Sequence, residues 1–149
     1  MATMASHVAA RLIQDTEIVS YTSDRVYAYD IRADGPDAHP EVYGPYGFTQ
    51  PTICVDDAGG IAPPFAPSGT YVDRLTIWIF AENSETGRTG MNELAARIWI
   101  RLHRWQEANT KALLLYADRT GFVADPSPFT GAMEQLTFRV AGVLQGIST

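Results

Sequence analysis

Three features of this chain predict an α+β fold built on a single mixed, largely antiparallel β-sheet of about five strands packed by two helices. First, a long apolar strand, an amphipathic helix and a two-stranded hairpin follow one another between residues 71 and 144 with almost no spare residues. Second, a short helix and two shorter strands precede that block. Third, two loops, 32–51 and 56–70, hold seven of the nine prolines and half of the twelve glycines. Proline fixes φ and removes a donor, and glycine tolerates left-handed turns, so neither loop can propagate a helix or a central strand.

Residues 3–15 place Ala5, Val8, Ala9, Leu12 and Ile13 at helical spacing, which predicts a short helix that depends on docking. From Arg25 to Ile31, Tyr27, Tyr29 and Ile31 alternate with Val26, Ala28 and Asp30, a strand pattern. Thr52 to Asp56 reads as a second strand, bounded by Pro51 and the turn residues 57–60. Tyr71 to Ala81 puts Leu75, Ile77 and Ile79 on one face, which is core. Its other face carries Arg74, Thr76, Trp78 and Phe80, a half-polar set that implies partial cover by a helix, a loop or another subunit.

Ser84, Thr86 and Thr89 are alternative caps for the helix that follows. Within it Met91, Leu94, Ala95, Ile98, Trp99, Leu102 and Trp105 fall on one stripe, while Glu93, Arg97, Arg101 and Arg104 lie opposite and Ile100 points away from the stripe. The chain then runs as a strand from Ala112 to Ala124, turns through residues 125–131 and returns from Met133 to Leu144, with Gly121 marking a bulge or bend. Residues 1–149 are expected to form one domain, a length at which roughly 70% of the unfolded chain's surface is buried.

Charge and composition exclude several classes of function. A formal net charge of −6 repels polyphosphates, which argues against a conventional nucleic-acid binder but suits a surface that DNA slides past. Cys54 is the only cysteine, which removes any internal disulfide framework and points to a reducing compartment; its apolar neighbours Ile53 and Val55 favour an inert buried thiol. Met1 to Asp15 lacks the basic start and apolar core of a signal peptide, and no run of eighteen apolar residues occurs, so neither export nor a membrane span is expected.

Motifs of catalysis are weak. Asp34, Asp37, His39 and Glu41, with Asp56 and Asp57, could offer oxygen ligands to a hard divalent ion, but they lack the alternation and terminal glutamate of an EF-hand loop, and a polar turn is the better reading. His7, His39 and His103 fall in three different elements without zinc spacing. Gly87-Arg88-Thr89-Gly90 lacks the Gly-Lys-Ser/Thr ending of a phosphate loop and reads as a helix entry loop. No catalytic, cofactor or metal residues are therefore assigned, and the chain is not expected to be an enzyme. The large apolar groups in the loops, Tyr43, Tyr46, Phe48, Ile61 and Phe65, exceed what a linker needs and either fold back or insert into a neighbour.

In the order of these elements the chain resembles the tail-terminator or tail-completion proteins of long-tailed bacteriophages and phage-like gene-transfer particles. The resemblance spans nearly the whole chain. It rests on the N-terminal helix, Arg25-Val26-Tyr27, the proline-rich loop into Pro51-Thr52-Ile53-Cys54-Val55, the strand Leu75 to Ala81 feeding the helix Met91 to Trp105, the turn Asp125-Pro126 to Thr130-Gly131 and the strand Leu136 to Val140. It implies a subunit of a homo-oligomeric, hexameric ring in the virion at the head–tail junction, assembled in the host cytoplasm. Such a ring ends the tail tube, meets a tail-tube protein on one side and a head-side connector or neck protein on the other, and lets DNA pass without specific binding; it uses no membrane, cofactor or metal. Ring closure needs two different patches per subunit. The candidates are Tyr43, Tyr46, Phe48 and Phe65 in the loops, and Arg97, Ile100, Arg101 and Arg104 on the helix. Another phage neck or head-completion protein is the alternative, and a small metal-dependent enzyme using the Asp34 to Glu41 loop is a more distant one.

Overall fold

The computed structural model describes residues 4–44, 49–56, 70–108, 111–121, 123–124 and 131–143. Two helices, α1 (Met4–Ile13) and α2 (Thr16–Thr22), lead into a two-residue strand β1 (Val26–Tyr27) and three short 3₁₀ turns, Ile31–Asp34, Pro36–Ala38 and Pro40–Val42. Strands β2 (Thr52–Asp56) and β3 (Thr70–Ala81), helix α3 (Glu85–Leu102) and strands β4 (Leu113–Arg119), β5 (Val123–Ala124) and β6 (Ala132–Val143) complete the chain.

The sheet order is β1-β2-β3-β6-β4, with β5 pairing β6. Only β1 and β2 run parallel; the other pairs are antiparallel, from Thr70 opposite Val143 to Ala81 opposite Ala132 along β3 and β6. This is the predicted α+β class with a mixed sheet of five main strands. The edge strand is interrupted twice. Tyr116 faces Phe138 but Asp118 faces Thr137, so Ala117 is an extra residue. Between Arg119 opposite Leu136 and Val123 opposite Met133 this strand advances four residues against three, and Gly121 there adopts φ +78°, a left-handed conformation for which glycine is suited. Gly121 thus sits at the bend its sequence position implied.

Three helices, not two, cover the inner face. Asp15 ends the first helical run and starts the second, its Oδ1 accepting from the N–H groups of Glu17 at 2.9 Å and Ile18 at 3.2 Å. Seven residues are too few to show an amphipathic stripe, which is why α2 escaped the periodic reading. Leu75, Ile77 and Ile79 of β3 and Leu136 and Phe138 of β6 are buried against Val8 and Leu12 of α1, Ile18 of α2 and Met91, Leu94, Ile98 and Leu102 of α3. Each such side chain contributes about 1.5–3 kcal/mol by burial. Ser84 caps α3, its Oγ accepting from Gly87 N–H at 3.1 Å, and Gly87 is required because a Cβ there would run into the Glu82 carbonyl.

Two expectations about α3 change. The helix stops at Leu102, so Trp105 lies beyond it. Trp99, assigned to the apolar stripe, is 45% exposed, because it faces a groove beside β4 and the buried stripe is narrower than the sequence pattern.

The strand predicted from Arg25 to Ile31 is also shorter. After Tyr27 the chain turns away and folds as 3₁₀ turns across the outer face of the sheet, where Ile31 and Val42 cover Cys54 and Phe80 beside Tyr27, Tyr43, Trp78 and Met133. Of the three covers open for that face, the chain's own loop supplies this one.

Candidate functional site

Asp15 is the central polar junction of the inner face. Its side chain is fully buried, and Oδ2 accepts from Arg97 Nη2 at 2.7 Å and Nε at 3.1 Å and from Arg101 Nε at 2.7 Å. Burial alone would raise the carboxyl pKa, but the hydrogen bonds from Arg101, Arg97 and the backbone of Ile18 and Glu17 outweigh it and hold the group well below the carboxylate range. Arg11 Nε donates to the carbonyl of Arg101 at 3.1 Å, placing a cation at the C-terminal end of α3. Arg97 and Arg101 therefore tie α3 to the α1–α2 joint instead of standing wholly in solvent.

At one edge of the sheet, α3 and β4 enclose a groove of about 390 Å³ lined by Ala95, Ala96, Trp99, Ile100, Tyr116, Arg119 and Leu136. Trp99 and Ile100 are 45% and 54% exposed. The Trp99 ring stacks on His103, 5.1 Å between centroids and 17° between planes, and His103 Nδ1 accepts from Tyr116 N–H at 3.1 Å. That chain of contacts orients the Trp99 ring. Residues 103–107 also cover the upper part of the β4 edge: Arg104 N–H donates to the Leu114 carbonyl at 2.7 Å, and Leu114 N–H donates to Trp105 at 3.0 Å. Arg104 reaches that bond with φ +65°. Lower down, Arg119 pairs with the fully buried Glu134, whose Oε2 has no hydrogen-bond partner among the described residues.

At the opposite edge, β1 and the 3₁₀ segment carry a compact polar cluster. His39 Nε2 stands 2.7 Å from Asp34 Oδ2 and Nδ1 stands 3.0 Å from Glu41 Oε1. Tyr29 donates to Asp34 at 2.7 Å and Tyr27 to Glu41 at 2.6 Å. A neutral ring could donate to only one carboxylate, so this geometry favours the imidazolium. The hydrogen bond to Asp34 is the main cause that raises the His39 pKa, with Glu41 adding to it; Asp34 is lowered by His39 and Tyr29, and Glu41 by Tyr27 and then its backbone and His39. Arg32 anchors the same segment from below, its guanidinium 4.4 Å from the Trp78 ring centroid and paired with Asp30 at 2.8 Å.

Neither a protein-family model nor a curated protein matches this chain. A solved structure does share its fold. It is a chain described as "Virion of native gene transfer agent (GTA) particle", with TM-score 0.69 and 12% sequence identity over 95% of this chain and 95% of that chain.

Of the proposed contact residues, Tyr46, Phe48 and Phe65 lie outside the described residues. Tyr43 packs half-buried against the outer core beside Cys54 and Phe80, an internal place among the alternatives open to it. Arg97 and Arg101 meet at Asp15, Ile100 lines the α3–β4 groove, and the exposed Arg104 lies beside Leu114 of β4. Among the described residues, no group of three or more His, Cys, Asp or Glu side chains is placed to hold a metal ion. Cys54 is fully buried, and burial pushes its thiol up to about 12. Among those residues no helix is long and apolar enough to cross a membrane. Sequence reasoning missed Asp15 and Trp99; the Asp15-Thr16-Glu17 cap signature could have revealed the first, whereas the second needed the position of α3 on the sheet.

Proposed function

We propose that this chain is a structural subunit of a phage-type virion, forming a hexameric ring that terminates the tail tube and joins it to the head-side connector. The observation that carries this reading is the fold shared along 95% of both chains with a chain of a gene-transfer-agent virion. Features of the chain suit the role. Trp99 and Ile100 offer an apolar contact held in place by rigid elements, which is what a buried anchor at a subunit interface needs. Among the described residues three charged clusters are paired within the fold: Asp15 on two arginines, His39 on two carboxylates, Glu134 on Arg119. An acidic chain also lets DNA pass without sticking.

Imaging of particles assembled without this chain tests the role. Tails of irregular length beside intact heads are expected. Tails of normal length beside heads that lose their DNA would assign the chain to head completion instead, and unaltered particles would remove it from the virion.

A further inference from the structure

We infer that the two opposite edges of the sheet are the two halves of one heterologous contact between copies of this chain, the α3–β4 groove of one copy receiving the acidic β1 edge of the next. This rests on the ring reading above and names the surfaces that would close it.

Among the described residues the exposed large hydrophobics are Ile13, Tyr29, Trp99 and Ile100. Trp99 and Ile100 stand at the β4 edge, in a groove of about 390 Å³. Tyr29 stands just past β1, the strand at the other end of the order β1-β2-β3-β6-β4. A sheet with one apolar anchor site at each end has two unlike patches facing away from each other, the arrangement that head-to-tail assembly requires.

Charge says what covers the groove. At the β1 edge the cations turn inward: Arg25 Nε donates to the Pro51 carbonyl, Arg32 lies over Trp78, and His39 sits between two carboxylates. Asp24 and Asp37 are exposed, and Asp34 and Glu41, also exposed, share the single His39, so this edge keeps a net negative charge. At the β4 edge the pattern inverts, because Glu107 is buried and the buried Glu134 is paired with Arg119 while Arg104 and Lys111 are exposed, with Asp118 the one exposed acid on β4. Outward carboxylates on one edge thus match outward cations on the other, and both belong to the same chain. Like edges would repel, so the contact is heterologous and not a two-fold dimer.

Two variants test this, each checked for native circular dichroism: Ile100→Asp in the groove and Asp24→Lys with Asp37→Lys on the acidic edge. Each alone is expected to lose self-association by at least about tenfold in sedimentation velocity, while an equimolar mixture recovers a one-to-one dimer and nothing larger, since one intact groove and one intact acidic edge remain. Wild-type association is expected to weaken as salt rises. If both variants assemble like the wild type, or the mixture stays monomeric, the inference is overturned while the ring reading stands. A wild-type chain that remains monomeric at about 1 mM, where even a weak interface is populated, also overturns it; capping of tail tubes by that same chain would show that the ring reading survives, and failure to cap them would end both.

Discussion

The two faces of the sheet are held by different physics. The inner face is a continuous apolar layer in which three helices meet β3 and β6, and the buried carboxylate of Asp15 binds the helices to each other. The outer face is covered on one half by an irregular 3₁₀ segment, and its cover depends on a few directional contacts: Arg32 over Trp78, Tyr27 on Glu41, His39 between Asp34 and Glu41. Area burial is cooperative and insensitive to any single polar atom, whereas a cover fastened at points can open locally while the sheet stays folded.

Substitutions should separate the faces, beginning with the inner one. Phe138→Ala empties the middle of the main core and should cost about 3–5 kcal/mol in denaturant unfolding. Asp15→Ala removes the α2 cap and leaves Arg97 and Arg101 facing a void, with an expected loss of roughly 2–4 kcal/mol, moderated because both arginines reach solvent. The Asp15 contribution is fully present above its ordinary value near 3.8 and is lost as pH falls through its depressed folded value, so wild type and Asp15→Asn should converge in stability only in strong acid.

On the outer face, Arg32→Ala should cost about 1 kcal/mol and show itself locally, as faster labelling of Cys54 by a thiol reagent with an almost unchanged melting temperature. A global loss as large as that of Phe138→Ala would erase the distinction between the faces. The smallest effect is expected from His39→Gln. Because the folded His39 pKa lies above its ordinary 6.5, its contribution is fully present below pH 6.5 and disappears as pH rises through the folded value. The difference from wild type in urea midpoint should therefore be seen at pH 6 and vanish in alkali; a difference that grows with pH would contradict the imidazolium clamp.

The same contrast explains what could be read in advance. Leu75, Ile77 and Ile79, the stripe Met91 to Leu102 and the return strand Leu136 to Val140 repeat at strand or helix period, and a repeat reports its own burial. The 31–42 segment has no period. Its placement is decided by pairs distant in sequence, such as Arg32 with Trp78 and Arg32 with Met133, which local patterns do not contain. The candidate site was partly legible for the same reason. Ile100 was visible as a residue off the stripe, but Trp99 fits the stripe by spacing and is exposed only because of where α3 lies on the sheet. Arg97 and Arg101 were visible as a charged face, and their convergence on Asp15 depends on the three-dimensional meeting of α2 with α3.

Electron microscopy of purified chain mixed with tail tubes of the same particle reaches the central claim in one step. Rings seated at one end of each tube, and absent when the chain carries Ile100→Asp, are the result expected of a terminator that assembles through its sheet edges. Bare tubes at saturating chain, with no rings free in the background, would contradict it.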